Sequence, residues 1–196
     1  MDGAGDEFLA GAPLTGDQQW IVVVLIAVIA LAGVVTYMAP ASGQADGDAS
    51  PIYGITIPPG YRDWKLIAVK HLTIGNKADQ LRAQLGNDIA IKAFKEAKVP
   101  FPDGSIIAAL HWTRVLSDND TKVIAGQFPG AQSFVIGSAV NVQFMVKDSK
   151  KYASTGGWGF ADFANGKPGD RKLHETCFPC HAPAADRDFV FTHYAP

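Results

Sequence analysis

The stretch of residues 175–183, ETCFPCHAP, constrains this chain more than any other part of its sequence. Cys177 and Cys180 are separated by two residues and His181 follows directly, which is the C-x-x-C-H pattern of c-type haem attachment. In such a site each cysteine forms a thioether and the histidine is an axial ligand of the iron. Since only fifteen residues follow His181, the chain before the motif must build most of the pocket.

Two other kinds of site use a C-x-x-C pair. A redox-active dithiol of the thioredoxin kind belongs in a βαβ context, and the sequence around this motif shows none. A zinc site normally needs a second pair of ligands, and the chain contains only these two cysteines. The pattern therefore predicts one haem c, attached covalently through Cys177 and Cys180, with His181 as the iron ligand.

The position of the motif predicts an iron with an open coordination site. No methionine follows His181, and Met145 lies on a predicted strand, where core packing is its usual role. Other histidines are candidate sixth ligands, each with a structural or surface role as the alternative: His71, His111, His174 and His193. We therefore expect five-coordinate iron, which favours small-ligand binding or chemistry at the iron over electron transfer alone.

Residues 20–38, WIVVVLIAVIALAGVVTYM, carry no charged side chain and predict a transmembrane helix. Nineteen residues span about 28 Å at ~1.5 Å per residue, close to the ~30 Å core of a bilayer. A cleaved signal peptide and a buried helix are the alternatives, and residues 39–41 offer a small-residue cleavage site. Residues 1–19 are acidic and contain no Lys or Arg, unlike the start of a signal peptide, which favours a retained anchor.

The sequence divides into an N-terminal tail (1–19), the anchor or uncleaved signal (20–38), a flexible linker (39–54) and a haem c domain (55–196). The linker is rich in small and turn-forming residues. Because c-type haems are attached outside the cytoplasmic membrane, we expect the domain at the periplasmic face of a bacterial inner membrane. If the anchor is cleaved, the domain is soluble in the periplasm. A net charge of -2 offers no basic surface for nucleic acid.

The domain is predicted to have an α+β fold, an antiparallel β-sheet with packed helices, preceded by the N-terminal transmembrane helix. Strands are expected at residues 63–73, 104–116 and 133–148, where alternation and β-branched residues dominate. Residues 87–98 predict a helix, with Asn87 or Asp88 as its N-terminal cap and two prolines after its end. Another helix is expected just before the haem motif. This order of elements argues against an all-helical domain.

The chain resembles the cytochrome P-460 and cytochrome c′-beta family in five stretches that occur in the family's order. They are IPPGYRDWKLIAVKH, LRAQLGNDIAIKAFK, PFPDGSIIAALHW, GGWGFADF and CFPCH, and they cover nearly the whole domain. The resemblance implies a small, often homodimeric periplasmic protein with an antiparallel sheet and a five-coordinate haem c. We also expect an external redox partner, such as another cytochrome c.

The resemblance implies one of two activities. In the P-460 branch a lysine is bonded to the haem edge and the protein oxidises hydroxylamine, whereas the c′-beta branch lacks that bond and binds nitric oxide. The position matching this lysine is Ala109, or else Ala108, and this departure favours nitric oxide binding. Lys92 is the nearest substitute lysine, and a solvent-exposed helix face is its alternative role.

The remaining predicted site residues lie before the haem motif. Asp162, in WGFADF, is the candidate catalytic carboxylate, which would accept protons from hydroxylamine; a turn or cap role is its alternative. Aromatic residues beside it are expected to wall the haem pocket or to pack in the core: Trp158, Phe160 and Phe163. Arg62 and Asp63 are a candidate ion pair near the haem propionates.

Three functions therefore stay open at the level of sequence. The first is binding of nitric oxide for storage, detoxification or sensing, which Ala109 and the aromatic wall favour. The second is a hydroxylamine oxidoreductase in which Asp162 accepts protons. The third is electron transfer as a subunit of a membrane complex, which needs a sixth iron ligand.

Overall fold

The computed structural model describes residues 49–195. The predicted tail, the predicted anchor and most of the predicted linker lie outside the described residues. Within the described range, no helix is long and apolar enough to cross a bilayer. The last part of the predicted linker packs on the domain: Ser50 and Tyr53 are buried, and the Tyr53 carbonyl accepts a hydrogen bond from the Tyr152 hydroxyl at 3.1 Å.

A six-stranded antiparallel sheet forms the body of the described domain, and each strand pairs with its neighbours in sequence. The strands are Lys65–Ile74 (β1), Ala78–Gly86 (β2), Ile106–Leu116 (β3), Phe134–Lys147 (β4), Trp158–Ala164 (β5) and Lys167–Pro168 (β6). Helices accompany this sheet, so the predicted α+β class with an antiparallel sheet is confirmed for the described residues.

The helices are short, and the two longest follow β2 and β3. They are Asp88–Lys95 (α1), Asp118–Ala125 (α2), Arg171–Glu175 (α3) and Cys177–His181 (α4). Turns of 3-10 helix lie at Tyr61–Asp63, Ala153–Thr155 and Ala182–Arg187. Helix α1 begins at the predicted cap, because the Asn87 side chain accepts a hydrogen bond from the Ala90 N–H at 3.0 Å.

Sequence prediction missed β2, β5 and α2, each for a physical reason. In β2 the alternation is weak, because the less polar face carries Asp79 and the small Ala83 beside its two leucines. In β5 the residues from Trp158 to Phe163 are all buried, and a strand covered on both faces shows no alternation either. Helix α2 has no buried residue, so no apolar stripe marks it.

The strand register gives the sheet one apolar face. One row across it contains Leu85, Ala108, Phe144 and Ala161, and the next contains Ala83, Leu110, Val142 and Phe163. These rows form much of the hydrophobic core. The alternation expected at residues 133–148 is observed in β4, since Phe144 and Val142 share this face while Gln143 and Met145 point to the other.

A buried ion pair joins the end of β4 to the chain that follows α4. The Lys147 Nζ lies 2.7 and 2.9 Å from the two carboxylate oxygens of Asp188, and it also donates to the Gly156 carbonyl at 3.0 Å. The Asp188 Oδ2 accepts a further hydrogen bond from the Phe101 N–H at 2.8 Å. Lys147 and Asp188 are 5% and 7% exposed, so each charge depends on the other for its compensation.

This ion pair holds an unusual turn in the backbone. Asp188 and Phe189 have φ angles of 51° and 65°, in the left-handed region that side chains other than glycine seldom adopt. Such residues cost about 1–3 kcal/mol each and persist where surrounding contacts fix them. The turn carries the chain back over α4, towards His181.

Replacing Lys147 with Met is expected to reduce the free energy of unfolding by about 3–5 kcal/mol, because the Asp188 carboxylate is left buried without a counter-charge. Lys150→Met, which removes an exposed charge nearby, should change it by less than about 0.5 kcal/mol. Adding Asp188→Asn to Lys147→Met should restore part of the loss, since no buried charge then remains. Urea denaturation of the full chain measures the free energy of unfolding of all three variants. Equal losses in Lys147→Met and Lys150→Met would contradict the stabilising role of the Lys147–Asp188 ion pair.

Candidate haem site

A cavity of about 380 Å³ lies against the face of the sheet opposite the two apolar rows. Strands β1 to β5 form its floor, and its cover consists of α3, α4 and the chain near residues 191–192. Its volume falls within the ~300–1,000 Å³ of small-molecule and cofactor pockets. We refer to this side of the sheet as the cavity face.

The register arranges the cavity face in three rows that cross the sheet. The first row contains Lys70, Arg82, His111 and Asn141. The second contains Gln84, Ala109, Gln143 and Asp162, and the third contains Ile107, Met145 and Phe160. The first two rows are mainly polar and the third is apolar, so polarity changes along the strands.

The motif helix α4 presents its three key residues to one side. Cys177 and Cys180 are three residues apart and Cys177 and His181 four apart, a spacing that brings side chains together on one helix face. All three line the cavity. The arrangement that sequence reasoning assigned to Cys177, Cys180 and His181 is therefore compatible with a planar cofactor lying between α4 and the cavity face.

His181 is oriented by a hydrogen bond to the backbone. Its Nδ1 lies 2.8 Å from the Phe189 carbonyl oxygen, and because a carbonyl can only accept, Nδ1 must carry the proton. Burial lowers the pKa of His181, against the opposing effect of this hydrogen bond, and so favours the neutral ring. The neutral ring then has its lone pair on Nε2, the atom an iron would take.

Aromatic rings hold the His181 ring from two sides. The Phe160 ring centroid lies 4.9 Å from that of His181, and the Phe191 centroid lies 5.2 Å away. Phe160, predicted to bind the cofactor, thus lines the cavity and packs on the histidine. Of the other predicted wall residues, Trp158 and Phe163 are fully buried core residues and do not line the cavity.

The Cys177 thiol does not have the property expected of the nucleophile in a redox-active pair. Burial, with the nearby charges of Asp162 and Cys180, raises the pKa of Cys177 to about 11. A reactive dithiol has the opposite tendency, a thiolate stabilised at neutral pH. Within residues 49–195, no three His, Cys, Asp or Glu side chains gather into a metal cluster, so the described residues do not assemble a zinc site around the motif.

Asp162 lies in the cavity, where two side-chain amides hold its carboxylate. Its Oδ2 accepts hydrogen bonds from the Asn141 Nδ2 at 2.6 Å and the Gln143 Nε2 at 2.8 Å. The Asp162 backbone N–H donates to the His174 Nε2 at 3.2 Å, which fixes β5 against α3. Asp162 is 5% exposed, lines the cavity and lies within β5, so it is not a turn residue; its catalytic role stays a prediction.

Ala109 occupies the middle of the cavity face, between Gln84 and Gln143 in the register. It lines the cavity, whereas Ala108 is fully buried on the apolar face of the sheet. Lys92, the substitute lysine, is on the exposed side of α1 beside Glu96, with 76% of its side chain exposed. Lys92 therefore lies away from the cavity, and the solvent-exposed role is the one observed.

Among the histidines considered as sixth ligands, His111 is the one that lines the cavity. His71 is exposed and bonded to Asp79, and His193 is exposed beside Arg187. Both ring nitrogens of His174 are engaged by backbone groups, so its role is structural. Met145, expected to pack in the core, also lines the cavity.

The predicted pair near the propionates is not formed. Arg62 and Asp63 are both exposed, and the Arg62 guanidinium lies 5.5 Å from the centre of the Tyr61 ring. Neither residue lines the cavity. Instead, the Lys and Arg residues that line the cavity are Lys70 and Arg82, which sequence reasoning missed. The sequence did contain a signal for Arg82: polar residues recur at every second position of β2, so Gln80, Arg82 and Gln84 share one face.

Unpartnered polar atoms support the fit of a cofactor in this cavity. The Gln84 Oε1 and the His111 Nε2 are buried without a hydrogen-bond partner in the described protein, and both residues line the cavity. Buried polar atoms in folded proteins nearly always have partners, so such atoms at a cavity wall indicate a missing occupant. These atoms, the two thiols and the Nε2 of His181 together form a set of groups that fits a haem c.

Comparison with known families agrees with this site. A family model described as Cytochrome P460 matches residues 58–192, which include the sheet, the cavity face and the C-x-x-C-H helix. A comparison with curated proteins finds no match.

The stability of the protein is expected to depend on pH through His111. Burial, and then the charge of Arg82, lowers the pKa of His111 from 6.5 to about 4. As pH falls through this window the unfolded chain binds a proton that the folded protein does not, so the free energy of unfolding decreases, by up to about 3 kcal/mol.

The measurement is urea denaturation of the full chain at pH 7 and pH 4, compared with His111→Gln. The variant should lose less stability on acidification, because it lacks this group, whereas the exposed-site control His193→Gln should behave like the unmodified chain. An identical loss in His111→Gln would show that the His111 ring is not held neutral.

Proposed function

Since the chain belongs to the cytochrome P460 family, we propose that it is a c-type haem protein that binds nitric oxide or a similar small ligand without a lysine–haem bond. Cys177 and Cys180 attach the haem, and His181 binds its iron through Nε2. When bound, the haem supplies an iron coordination position that a diatomic ligand can occupy. The residues of the chain decide how much space and which polarity the ligand meets.

Ala109 is the observation that carries this proposal. It lies on β3, the central strand of the five that line the cavity, and contributes only a methyl group there. The family position that a cross-linking lysine would occupy is thus filled by the smallest apolar side chain. Ile107, two residues earlier on the same strand, adds apolar surface to the wall. This part of the cavity face supports uncharged ligands and leaves room for them.

The polar residues of the cavity face hold fixed positions around that space. Asn141 and Gln143 hold the Asp162 carboxylate from one side, so its orientation is set before any ligand enters. The His111 Nε2 is unpartnered and its neutral form is favoured by burial. These groups offer a hydrogen-bond donor or acceptor to a ligand without introducing a mobile charge.

Asp162 favours a second function, oxidation of hydroxylamine. A buried carboxylate in the cofactor cavity is placed to take protons as hydroxylamine loses electrons to an external acceptor such as another cytochrome c. Electron transfer alone has support from His111 and Met145, which line the cavity and carry atoms that bind iron. Alanine at position 109 leads us to prefer ligand binding.

Location and assembly are proposals that rest on the sequence. Covalent haem attachment and the apolar stretch of residues 20–38 support a domain anchored at the periplasmic face of an inner membrane. Exposed apolar side chains at the far end of the β3–β4 hairpin, such as Val115 and Ile136, support a homodimer.

The purified full chain should show an ordinary c-type spectrum and a high-spin ferric haem that binds nitric oxide. Mass spectrometry of its protease digest should give a haem bonded to the peptide of Cys177 and Cys180 and to no lysine. A lysine peptide joined to the haem, from Lys70 in particular, would contradict the proposal. Hydroxylamine oxidation that is lost in Asp162→Asn would instead support the enzyme.

Ala109→Phe is expected to raise the Kd for nitric oxide about tenfold or more, since the added ring fills the space over the cofactor; tenfold corresponds to about 1.4 kcal/mol. Ala139→Phe adds the same ring at an exposed position of β4 outside the cavity and should leave the Kd unchanged. Titration of both ferrous variants measures the difference. Equal affinities would show that Ala109 does not border the ligand.

A further inference from the structure

The end of the cavity formed by β1 and β2 carries two positive side chains that the proposed function does not use. Lys70 and Arg82 are direct partners in the antiparallel register, and both line the cavity. Both are half-buried. Like charges placed directly opposite each other on neighbouring strands are destabilising. A negative group between the two side chains would therefore stabilise the pair.

The protein itself supplies only neutral partners to these cations. The Lys70 Nζ donates to the Phe191 carbonyl at 3.1 Å, and Arg82 donates twice to the Gln80 Oε1, at 3.1 and 2.8 Å. None of the ion pairs in the described part of the chain joins a carboxylate to either cation. Burial lowers the pKa of both, and the charges of Arg82 and Arg187 lower that of Lys70 further.

The nearest carboxylates are engaged elsewhere. Asp79, on the same hairpin, points to the other face of the sheet, where it binds Arg114 and His71. Asp162 lies on β5, where two amides of β4 hold its carboxylate. Strand β5 is three strand spacings from β2, which is about 14 Å at ~4.8 Å per spacing. One end of the cavity thus carries positive charge and the other carries Asp162.

We propose that Lys70 and Arg82 form the binding site for the two propionate carboxylates of the haem, and so decide which edge of the haem faces β1 and β2. This rests on the proposed attachment at Cys177 and Cys180. In a haem c the thioether groups and the propionates lie on different sides of the macrocycle.

The polarity of the cavity matches that arrangement. The segment that carries the two cysteines packs against β5: His174 accepts a hydrogen bond from the Asp162 N–H at 3.2 Å, and the Phe178 ring centroid lies 6.4 Å from that of Phe160, which places the thioether side near β5. The cations lie at the other end of the same cavity, on β1 and β2. Arginine suits a planar carboxylate because its guanidinium donates two parallel hydrogen bonds, and lysine adds a point charge. A propionate would thus replace the neutral Gln80 oxygen as the partner of Arg82.

A small free anion such as nitrite has the same charge and hydrogen-bonding pattern as a propionate, and it is the competing occupant. A free anion would bind and leave, and its affinity would depend on both cations. A propionate would stay in place, and its interaction with the cations would change the midpoint potential and the Raman spectrum of the haem. These two occupants therefore give different measurements.

The experiment compares the haem-loaded full chain with Lys70→Gln, Arg82→Gln and the double variant. Lys77→Gln, at the exposed turn of the same hairpin, is the matched control. The haem midpoint potential is measured by spectroelectrochemistry from pH 5 to pH 9, and the nitrite affinity of the ferric protein by titration. The other charged or titratable groups near the site are His111, Asp162 and Arg187. Each variant is repeated in a His111→Gln background, so that titration of His111 does not contribute to the pH dependence of the potential.

If the proposal holds, removing each cation lowers the midpoint potential at neutral pH, because positive charge beside a propionate favours the reduced haem. The pH-dependent step of the potential should move up by about one unit or more for each cation removed, since a propionate loses its counter-charge. Lys77→Gln should change neither quantity. The propionate bands in resonance Raman spectra should shift in the same variants.

An unchanged potential and pH profile in the double variant would overturn the proposal. The same result with a nitrite affinity reduced tenfold or more would identify a free anion as the occupant. If the haem of the unmodified chain can be extracted without breaking thioethers, the proposed attachment is wrong. The cation pair is then tested by the rate of haem transfer to apomyoglobin, which should rise in both single variants; an unchanged rate would overturn the pair's assignment.

Discussion

The buried ion pair of Lys147 and Asp188 joins the sheet to the segment that orients His181, the proposed iron ligand. It fixes two consecutive residues in the left-handed region, Asp188 and Phe189, and the Phe189 carbonyl then binds the Nδ1 of His181. Removing one partner of such a pair leaves an uncompensated buried charge, so the loss of either partner alone destabilises this turn. The direction in which His181 offers its Nε2 thus depends on a contact made at the end of β4.

Strand periodicity assigns the two faces of the sheet to different tasks. Because side chains alternate, a single strand such as β4 places Phe144 in the core and Gln143 in the cavity. The apolar rows hold the domain together, while the polar rows surround the cofactor space. A site spread over five adjacent strands is rigid, which favours fixed positions for groups such as Asp162.

The cavity is electrically asymmetric, and this asymmetry links the proposed cofactor with its surroundings. Cations on β1 and β2 lie at one end, and the carboxylate on β5 lies at the other beside Cys177. In the middle, Ala109 leaves open space. The same pocket therefore combines a cationic end, an apolar centre and an acidic end, each on different strands of one sheet.

The sequence alone determined the α+β class, because alternation encodes it, and the local C-x-x-C-H spacing predicted the haem-binding role of Cys177 and His181. It also indicated the two faces of β4 and the start of α1. Only the tertiary structure decided which residues from separate strands meet: it brought Lys70 and Arg82 into the cavity, left Lys92 in solvent and placed Asp162 between two amides. Strand register and long-range ion pairs set these contacts, and neither leaves a periodic signal in the chain.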